Sequence, residues 1–167
     1  MILKLSYVLF ALVSVNAFAD SAPDCIDRGV NMPINNDQVI HWKSSTQNSF
    51  QARGHVTGPV TKVYPDHSGH HHFQIALSNK PSDTIEVIFN EDFGAVPVIS
   101  VGMKAEACGD YITSFAQSGP YPASPDGAIL HWVHASPRPA SHPSGYMMLD
   151  GTVYGQNTSN AGPKRRF

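Results

Sequence analysis

The chain has 167 residues, with 11 lysines and arginines against 13 aspartates and glutamates, which gives a formal net charge of −2 at pH 7. A chain this close to neutrality is not a general binder of polyanions, so any contact with nucleic acid would have to be local. The length fits one domain with a real core, which we expect to be monomeric.

Residues 1–19 predict a secretory signal peptide. Lys4 supplies a positive charge, residues 5–15 form a short apolar run, and Ala17-Phe18-Ala19 is a small-x-small cleavage site before Asp20. The apolar run is too short to span a bilayer, and nothing after it approaches the length of a membrane helix. The sequence therefore predicts an exported chain, periplasmic or secreted, with no membrane span.

Residues 20–51 are polar and have no clear period, so we expect an N-terminal extension with one short helix over 36–42. The two cysteines, Cys25 and Cys108, lie 83 residues apart (108 minus 25). In an oxidising compartment they can form one disulfide, worth about 4.5 kcal/mol in the chain-entropy model. The alternative is two unpaired cysteines, one of them in a loose arm.

From residue 52 onward the chain has an all-β pattern. Thirteen glycines and thirteen prolines interrupt short apolar runs that are rich in β-branched and aromatic residues. The first strand is expected to have a bulge or an edge at Gly58-Pro59, because proline lacks a ladder donor. The last is expected to turn at Asp150-Gly151. The predicted strands lie within residues 53–64, 71–78, 84–90, 103–115, 127–134 and 144–154.

Five strands, of which the first is long and broken by glycine, predict a small Greek-key barrel of OB type over residues 52–156. Residues 157–167 are expected to form a flexible tail. In barrels of this type the loop between the first two strands lies at the rim of the ligand-binding face. Here that loop has the sequence PDHSGHH, residues 65–71.

The sequence HSGHHHF, residues 67–73, holds four of the nine histidines. If Phe73 faces the core, the period of two puts His71 on the same face and His70 and His72 on the other. The run therefore cannot supply three ligands to one metal by itself. We expect the rim of a polar site in which His70 is the functional member and His72 is dispensable. The alternative is a solvated loop rich in imidazole.

A second histidine-rich sequence, HWVHASPRPASH, covers residues 131–142. His131 and His134 lie at the end of a predicted strand, and His142 follows a proline-rich loop. Imidazoles with a carboxylate suit zinc or another late divalent ion, and neutral imidazole is a good general base near neutral pH. The spacing matches no standard zinc motif, and the alternative is a strand-end histidine beside a core tryptophan.

The order of these motifs resembles an uncharacterised family of small exported bacterial proteins, a domain of unknown function. The family pattern has Pro-Asp before a glycine, then His-Gln-x-Phe, then His-Asn-x-Asp and a Gly-Asp-Tyr strand. It ends with His-Trp-x-His, a later histidine and Gly-Trp. The resemblance covers residues 53–155 and implies export and an OB-like barrel rather than a particular activity.

On this resemblance Asp66 matches the aspartate of Pro-Asp, and His70 with His71 occupies the His-Gln place before Phe73. The further matches are Asn90, Asp92, His131, Trp132, His134, Pro137, His142 and Gly145. Three positions depart from the pattern. Phe89 stands where the family has a histidine, Ser136 where it often has an aspartate, and Tyr146 where it has a tryptophan.

The leading hypothesis is a polar site that binds a ligand or a divalent metal such as zinc and hydrolyses a phosphodiester or similar bond. A secreted barrel with nuclease activity has a fold-level analogue in the staphylococcal-nuclease type. The expected catalytic residues are Asp66, His70, Asn90, Asp92, His131 and His134, and the expected metal ligands are His70, His134 and His142. The alternative is a non-catalytic OB-like module that binds an oligosaccharide or a nucleic acid on Trp132, Tyr111 and Tyr146.

Overall fold

The computed structural model describes residues 20–159, so the expected signal peptide at 1–19 and the end of the expected tail at 160–167 lie outside the described residues. The elements are β1 Ile26–Asp27, β2 Val30–Asn31, α1 Asn36–Ser45, β3 Gln51–Val63, β4 His70–Ala76, β5 Thr84–Asn90, a 3-10 helix Glu91–Phe93, β6 Lys104–Thr113, β7 Ala128–His131, β8 Tyr146–Leu149 and β9 Thr152–Tyr154. Within the described range no helix is both long enough and apolar enough to cross a membrane.

Five strands close into a barrel in the order β3-β4-β5-β7-β6, because β6 also pairs with β3. All of these pairings are antiparallel except the one between β5 and β7, which is parallel. Closure leaves no free edge among the five strands, which protects them from pairing with other chains. The expected fold class, an all-β chain with a small barrel, is confirmed.

The alternation of side chains along the strands forms the core. On β4 the apolar side chains with no exposed surface are Phe73 and Ile75, and on β5 they are Ile85, Val87 and Phe89. Because successive residues of a strand face opposite sides, this set fixes the inside of the barrel. The residues between them, including histidines of β4 and a glutamate of β5, therefore face outward.

A hairpin of β8 and β9 extends the sheet beyond β6. Its turn is Asp150-Gly151, and both residues have positive φ, 47° and 85°. Two successive positive φ angles define the type I′ turn, whose twist matches that of the flanking strands. The turn expected from the Asp-Gly dipeptide is therefore confirmed.

The N-terminal segment packs on the barrel. The helix expected over residues 36–42 is confirmed as α1 and continues to Ser45, and its Val39 is fully buried in the main core. The expected disulfide between Cys25 and Cys108 is also confirmed, with a Cα–Cα distance of 5.6 Å. Both cysteines are buried, at 1% and 0% exposure, so the disulfide fastens this segment to the centre of β6.

Two local expectations need correction. The irregularity of the first barrel strand lies between Val60 and Lys62 rather than at Gly58-Pro59. Gly58 instead permits a close approach, because a Cβ there would overlap the carbonyl oxygen of Ala76. The strand expected to reach residue 134 ends at His131, because the next residue, Trp132, has a φ of +56° that no strand tolerates.

Candidate functional site

The histidine-rich loop before β4 is a tight hairpin turn. Ser68 and Gly69 both have positive φ, 54° and 72°, and the backbone groups of His67 and His70 bond to each other on either side of them. The Ser-Gly dipeptide thus supplies the turn, with glycine where the chain needs positive φ. Because paired residues of a hairpin share a face, His67 and His70 project to the same side.

The consecutive histidines of β4 divide between two faces. The His71 ring lies at the barrel mouth, stacked 6.4 Å from the core ring of Phe89. The His70 and His72 rings lie on the outer face, with centroids 6.4 Å apart. One sequence motif therefore contributes to two chemically different environments.

At the mouth, His71 lies between two carboxylates. Its Nδ1 is 2.9 Å from Oδ2 of Asp66, and its Nε2 is 3.3 Å from Oε1 of Glu91. One ligand atom from each residue lies within 4.8 Å of the others, and this is the only such group of three His, Cys, Asp or Glu residues in the range 20–159. We call these three residues the mouth triad. The two carboxylates are about half exposed, at 51% and 49%, so the group is accessible from solvent.

On the outer face four imidazoles lie in a row. The His67 ring stacks on His72 with centroids 4.2 Å apart, and the His70 ring lies 6.0 Å from His131 of β7. We call His67, His70, His72 and His131 the outer imidazole face. Its buried member, His72, is held in place, because its Nδ1 lies 2.8 Å from the carboxylate of Glu86, which faces outward from β5. His72 is 6% exposed, so its replacement is expected to cost stability, while its being dispensable for function stays a prediction.

The second histidine-rich sequence forms a stack of rings. The His134 ring lies on Phe93 with centroids 3.4 Å apart, and Trp132 lies 5.0 Å from His134 and 4.2 Å from His142. The stack is possible because Gly145 has no Cβ, which would overlap the carbonyl oxygens of Trp132 and Cys108. This part of the sequence therefore packs against itself across the end of β7.

A buried ion pair supports one end of the ring stack. Asp110 of β6 accepts a hydrogen bond from Nη1 of Arg53 at 2.9 Å and contacts Nε2 of His142 at 2.7 Å. Only 3% of the Arg53 side chain is exposed, and its other terminal nitrogen donates to the carbonyl oxygen of Ser144. The charge of Asp110 is thus balanced on one side and orients an imidazole on the other.

Several residues expected in the site have other roles. Tyr111 and Tyr146 are buried, at 0% and 1% exposure, so neither presents a face on which a ligand could stack. The Asn90 side chain accepts a hydrogen bond from the backbone of Asp92 and caps the 3-10 helix, while Asp92 is exposed. Tyr111 and Tyr146 are therefore packing residues, whereas Asn90 and Asp92 lie at the start of the 3-10 helix.

The three expected metal ligands do not share one set of contacts. Nδ1 of His70 donates to the carbonyl oxygen of Ser68, and Nδ1 of His134 donates to that of Ala135. His142 is held by Asp110. The His70 ring lies near His131, the His131 ring lies 6.3 Å from Trp132, and Trp132 lies beside His134 and His142, so the rings form one chain of contacts around Trp132.

Sequence analysis missed a buried polar network behind the outer face. Asp126 accepts hydrogen bonds from Tyr64, Gln74 and Thr84. The hydrogen bond to Asp126 and burial raise the pKa of Tyr64 well above its ordinary value, with burial the larger cause. The signal in the sequence was the polar residues that alternate with apolar ones on the first barrel strands.

A second missed group lies on the other side of the barrel. The Tyr146 hydroxyl donates to Glu106, and His55 contacts both of these side chains while its Nδ1 donates to the carbonyl oxygen of Met32. Burial, followed by the hydrogen bond to Glu106, raises the pKa of Tyr146. The three side chains line a cleft with Asp24, Asn31 and Met32, where they hold the N-terminal segment against β3 and β6.

The fold and these contacts define a small β-barrel domain that has acidic and imidazole groups at one end and a buried disulfide. The chain belongs to the family described as a protein of unknown function, DUF3465, whose model matches residues 28–155. The match begins within the segment that was expected to be an extension. No significant match to a curated protein or to a solved structure was found.

Proposed function

We propose that the chain is an exported domain that binds a divalent metal ion in the mouth triad of Asp66, His71 and Glu91. The observation that carries this proposal is the convergence of three ligand atoms to within 4.8 Å. Ligands about 2.0–2.2 Å from an ion lie at most roughly 4.4 Å apart, so a small shift of exposed side chains would close this group around an ion. Export is supported by the buried disulfide, which persists in oxidising compartments.

The donor set indicates which ions fit. Two carboxylates and one imidazole suit Mn²⁺ or Zn²⁺, since carboxylates favour harder ions and imidazole favours later ones. The stacking of His71 against Phe89 fixes the ring over the mouth. Without an ion the same contacts form an imidazolium bridge between two carboxylates, which is the alternative that the experiment must exclude.

For the use of the ion we propose hydrolysis of a phosphodiester-type bond. A divalent ion in such a site lowers the pKa of a bound water and polarises a phosphoryl oxygen. His70 and His131, whose rings lie 6.0 Å apart on the outer side of the strand ends, would exchange protons with a substrate that reaches over the strand ends from the mouth triad. Trp132, which is partly exposed beside them, would contact the substrate.

A second candidate function is a non-catalytic OB-like binding module. It is favoured by the strand order, because barrel strands numbered one to five in chain order run 1-2-3-5-4 around the barrel, with a parallel pairing between three and five. OB barrels bind oligonucleotides and oligosaccharides on the face of their second and third strands. Those strands are β4 and β5, whose outward side includes His70 and His72. Trp132 remains a stacking surface in this candidate, whereas the buried Tyr111 and Tyr146 do not.

The metal-binding proposal is tested by titrating the purified, metal-free protein with Mn²⁺ by calorimetry. We expect one mouth site, and we expect His71→Gln and Asp66→Asn each to weaken it by at least about tenfold, the loss that follows when a ligand is removed. The matched control is His41→Gln, because His41 is exposed on α1 and far from the mouth in sequence. Equal affinity in the wild-type protein and His71→Gln would overturn the proposal.

The hydrolytic use is tested separately with bis(p-nitrophenyl) phosphate as the probe. The loaded wild-type protein should release p-nitrophenol, and His70→Ala and His131→Ala should slow the release by roughly 10²-fold while keeping the ion, as expected for a lost general acid or base. If the ion binds and no release occurs, hydrolysis of this bond class is wrong and the binding-module candidate takes its place.

A further inference from the structure

One ring nitrogen on the outer imidazole face is buried without a partner. His72 is only 6% exposed, and its Nδ1 lies 2.8 Å from Oε1 of Glu86. Its Nε2 has less than 1 Å² of exposed surface and no hydrogen bond. Leaving a buried polar atom unsatisfied costs about 1–3 kcal/mol, so this nitrogen calls for a ligand.

Glu86 determines which ring nitrogen of His72 is engaged and which one is left over. Both oxygens of Glu86 are engaged, because Oε1 accepts from His72 and Oε2 accepts from the Ser124 hydroxyl at 2.6 Å. The carboxylate is buried as well, at 6% exposure. A carboxylate that accepts from one ring nitrogen directs the lone pair of the other nitrogen outward, which is the arrangement behind most metal-bound histidines.

The neighbouring rings are placed to share an ion with this nitrogen. His67 lies 4.2 Å and His70 lies 6.4 Å from the His72 ring, centroid to centroid. With metal–nitrogen bonds of about 2 Å, two imidazole centroids on one ion lie no more than roughly 6.5 Å apart. Moreover, the Nδ1 of His70 donates to the carbonyl oxygen of Ser68, which leaves its Nε2 as the nitrogen available to an ion.

We propose that the outer imidazole face is a second metal site, for a late first-row divalent ion of the Cu²⁺, Ni²⁺ or Zn²⁺ type. His72 is the fixed ligand through Nε2, and His67 and His70 turn onto the ion. His131, with its ring 6.0 Å from His70, lies next to the site. This site does not depend on the mouth triad, from which it differs in face, in residues and in having no carboxylate ligand.

The choice of ion follows from the donors. The nearest carboxylate, Glu86, is fully used by His72 and Ser124, so the ligands are imidazoles alone. Imidazole donors suit Cu²⁺, Ni²⁺ and Zn²⁺, whereas Mn²⁺, Ca²⁺ and Mg²⁺ require oxygen.

Binding requires side-chain rotation. Within residues 20–159 no three histidine nitrogens already lie within 4.8 Å of one another. His67 is exposed in the hairpin turn, and His70 is partly exposed beside it. Rotation of these two side chains therefore disturbs no core contact, while the buried His72 stays in place.

The experiment uses Cu²⁺ as the probe, added to the purified, metal-free full chain and followed by electron paramagnetic resonance and by calorimetry. We expect a tightly bound Cu²⁺ with nitrogen hyperfine structure from at least two imidazoles. His70→Ala should remove one nitrogen from the spectrum and weaken binding at least about tenfold. Glu86→Gln, which keeps the size of the side chain but alters the orientation of His72, should weaken binding by about 10- to 100-fold.

The variants also separate this site from the mouth triad. His72→Ala opens a buried position and can fail to fold, so the test relies on Glu86→Gln and His70→Ala with circular dichroism as a check on the fold. His71→Gln faces the other side of β4 and His41→Gln lies on α1, so both should keep the wild-type Cu²⁺ spectrum. Unchanged Cu²⁺ binding in Glu86→Gln and His70→Ala, or loss of Cu²⁺ in His71→Gln, would overturn the second site.

Discussion

The two histidine-rich segments share a high content of histidine but have different structures. In residues 67–72 the rings lie at a strand end and meet carboxylates, solvent and one another, with one buried nitrogen left without a partner. In residues 132–142 the rings of His134 and His142 stack on Phe93 and Trp132, and Asp110 holds His142, although Nδ1 of His142 is also buried without a hydrogen bond. A high density of histidine therefore does not define a site. What each ring stacks on, together with the contacts of its nitrogens, decides whether the segment can bind a ligand or holds the barrel end together.

The backbone produces this difference. The first segment continues as a regular strand, so its side chains alternate between the mouth and the outer face. The second segment leaves the strand at Trp132, whose positive φ of 56° turns the following residues across the barrel end. Variants in the first segment should therefore lose binding, and variants from Trp132 onward should mainly lose stability.

The largest effect is expected at the ion pair that supports the ring stack. In Arg53→Met the charge of Asp110 remains without its buried partner, and the free energy of unfolding should fall by about 3–5 kcal/mol. Urea denaturation measures this change. The control is Arg138→Met, because Arg138 has an exposed side chain in the loop between Trp132 and His142. This variant should change the free energy of unfolding by less than about 0.5 kcal/mol. A small effect at Arg53 would show that the stack does not depend on the ion pair.

The sequence predicted the frame of the molecule because its signals are local. Alternating apolar residues predicted the barrel strands, Asp150-Gly151 predicted the last hairpin, and two cysteines in a chain expected to be exported predicted the disulfide. Alternation also places His71 on the face opposite His70 and His72. These features depend on neighbouring residues or on a single pair.

The sequence did not predict the contacts that decide the site. Arg53 and Asp110 are 57 residues apart and meet only through the pairing of β3 with β6. By alternation Glu86 is an outward residue of β5, but it is buried in the structure, where His72 and Ser124 contact its carboxylate. Tyr146 looked like a stacking surface, but the segment around Cys25 buries it. Each miss concerns a contact between residues far apart in the chain, for which the local pattern contains no information.

Alkaline pH should lower the stability of the protein through two tyrosines that donate hydrogen bonds to carboxylates. Tyr64 near the first segment and Tyr146 near the second have pKa values raised above the ordinary 10.0 by burial and by hydrogen bonds to carboxylates. The folded state therefore keeps these protons while the unfolded state loses them, so stability is fully present below about pH 10 and falls as pH rises further. Tyr146, which is 1% exposed, contributes a slope of up to about 1.4 kcal/mol per pH unit, and the partly exposed Tyr64 contributes less.

Denaturation at pH 8 to 11.5 measures this slope. Tyr64→Phe and Tyr146→Phe should each be less stable than the wild type at pH 8, because a hydrogen bond is lost, and should each have a shallower fall above pH 10. Tyr121→Phe is the control, because Tyr121 is 73% exposed. A slope that stays unchanged in both buried variants would mean that these hydroxyls ionise equally in the folded and unfolded states.

The backbone at Trp132 offers a more specific test of the second segment. Trp132→Ala removes the ring stack and keeps a residue with a side chain at a positive φ, whereas Trp132→Gly removes the stack and relieves the strain. We therefore expect the glycine variant to be more stable than the alanine variant by about 1 kcal/mol. Thermal and urea unfolding compare them directly. An alanine variant that equals or exceeds the glycine variant would show that the positive φ at this position carries no cost.

The smallest stability effect is expected in the first segment, at the mouth triad. His71 contacts two half-exposed carboxylates, and ion pairs of this kind contribute about 0–1 kcal/mol. His71→Gln should therefore change the free energy of unfolding by less than about 1 kcal/mol. His142→Gln should cost more, about 1–3 kcal/mol, because His142 is fixed between Trp132 and an Asp110 that a buried arginine holds in place. Urea denaturation of the two variants in metal-free buffer at pH 7 makes the comparison. If His71→Gln proved the more destabilising of the two, the mouth triad would be a structural bridge, and the contrast between a binding segment and a stabilising segment would be reversed.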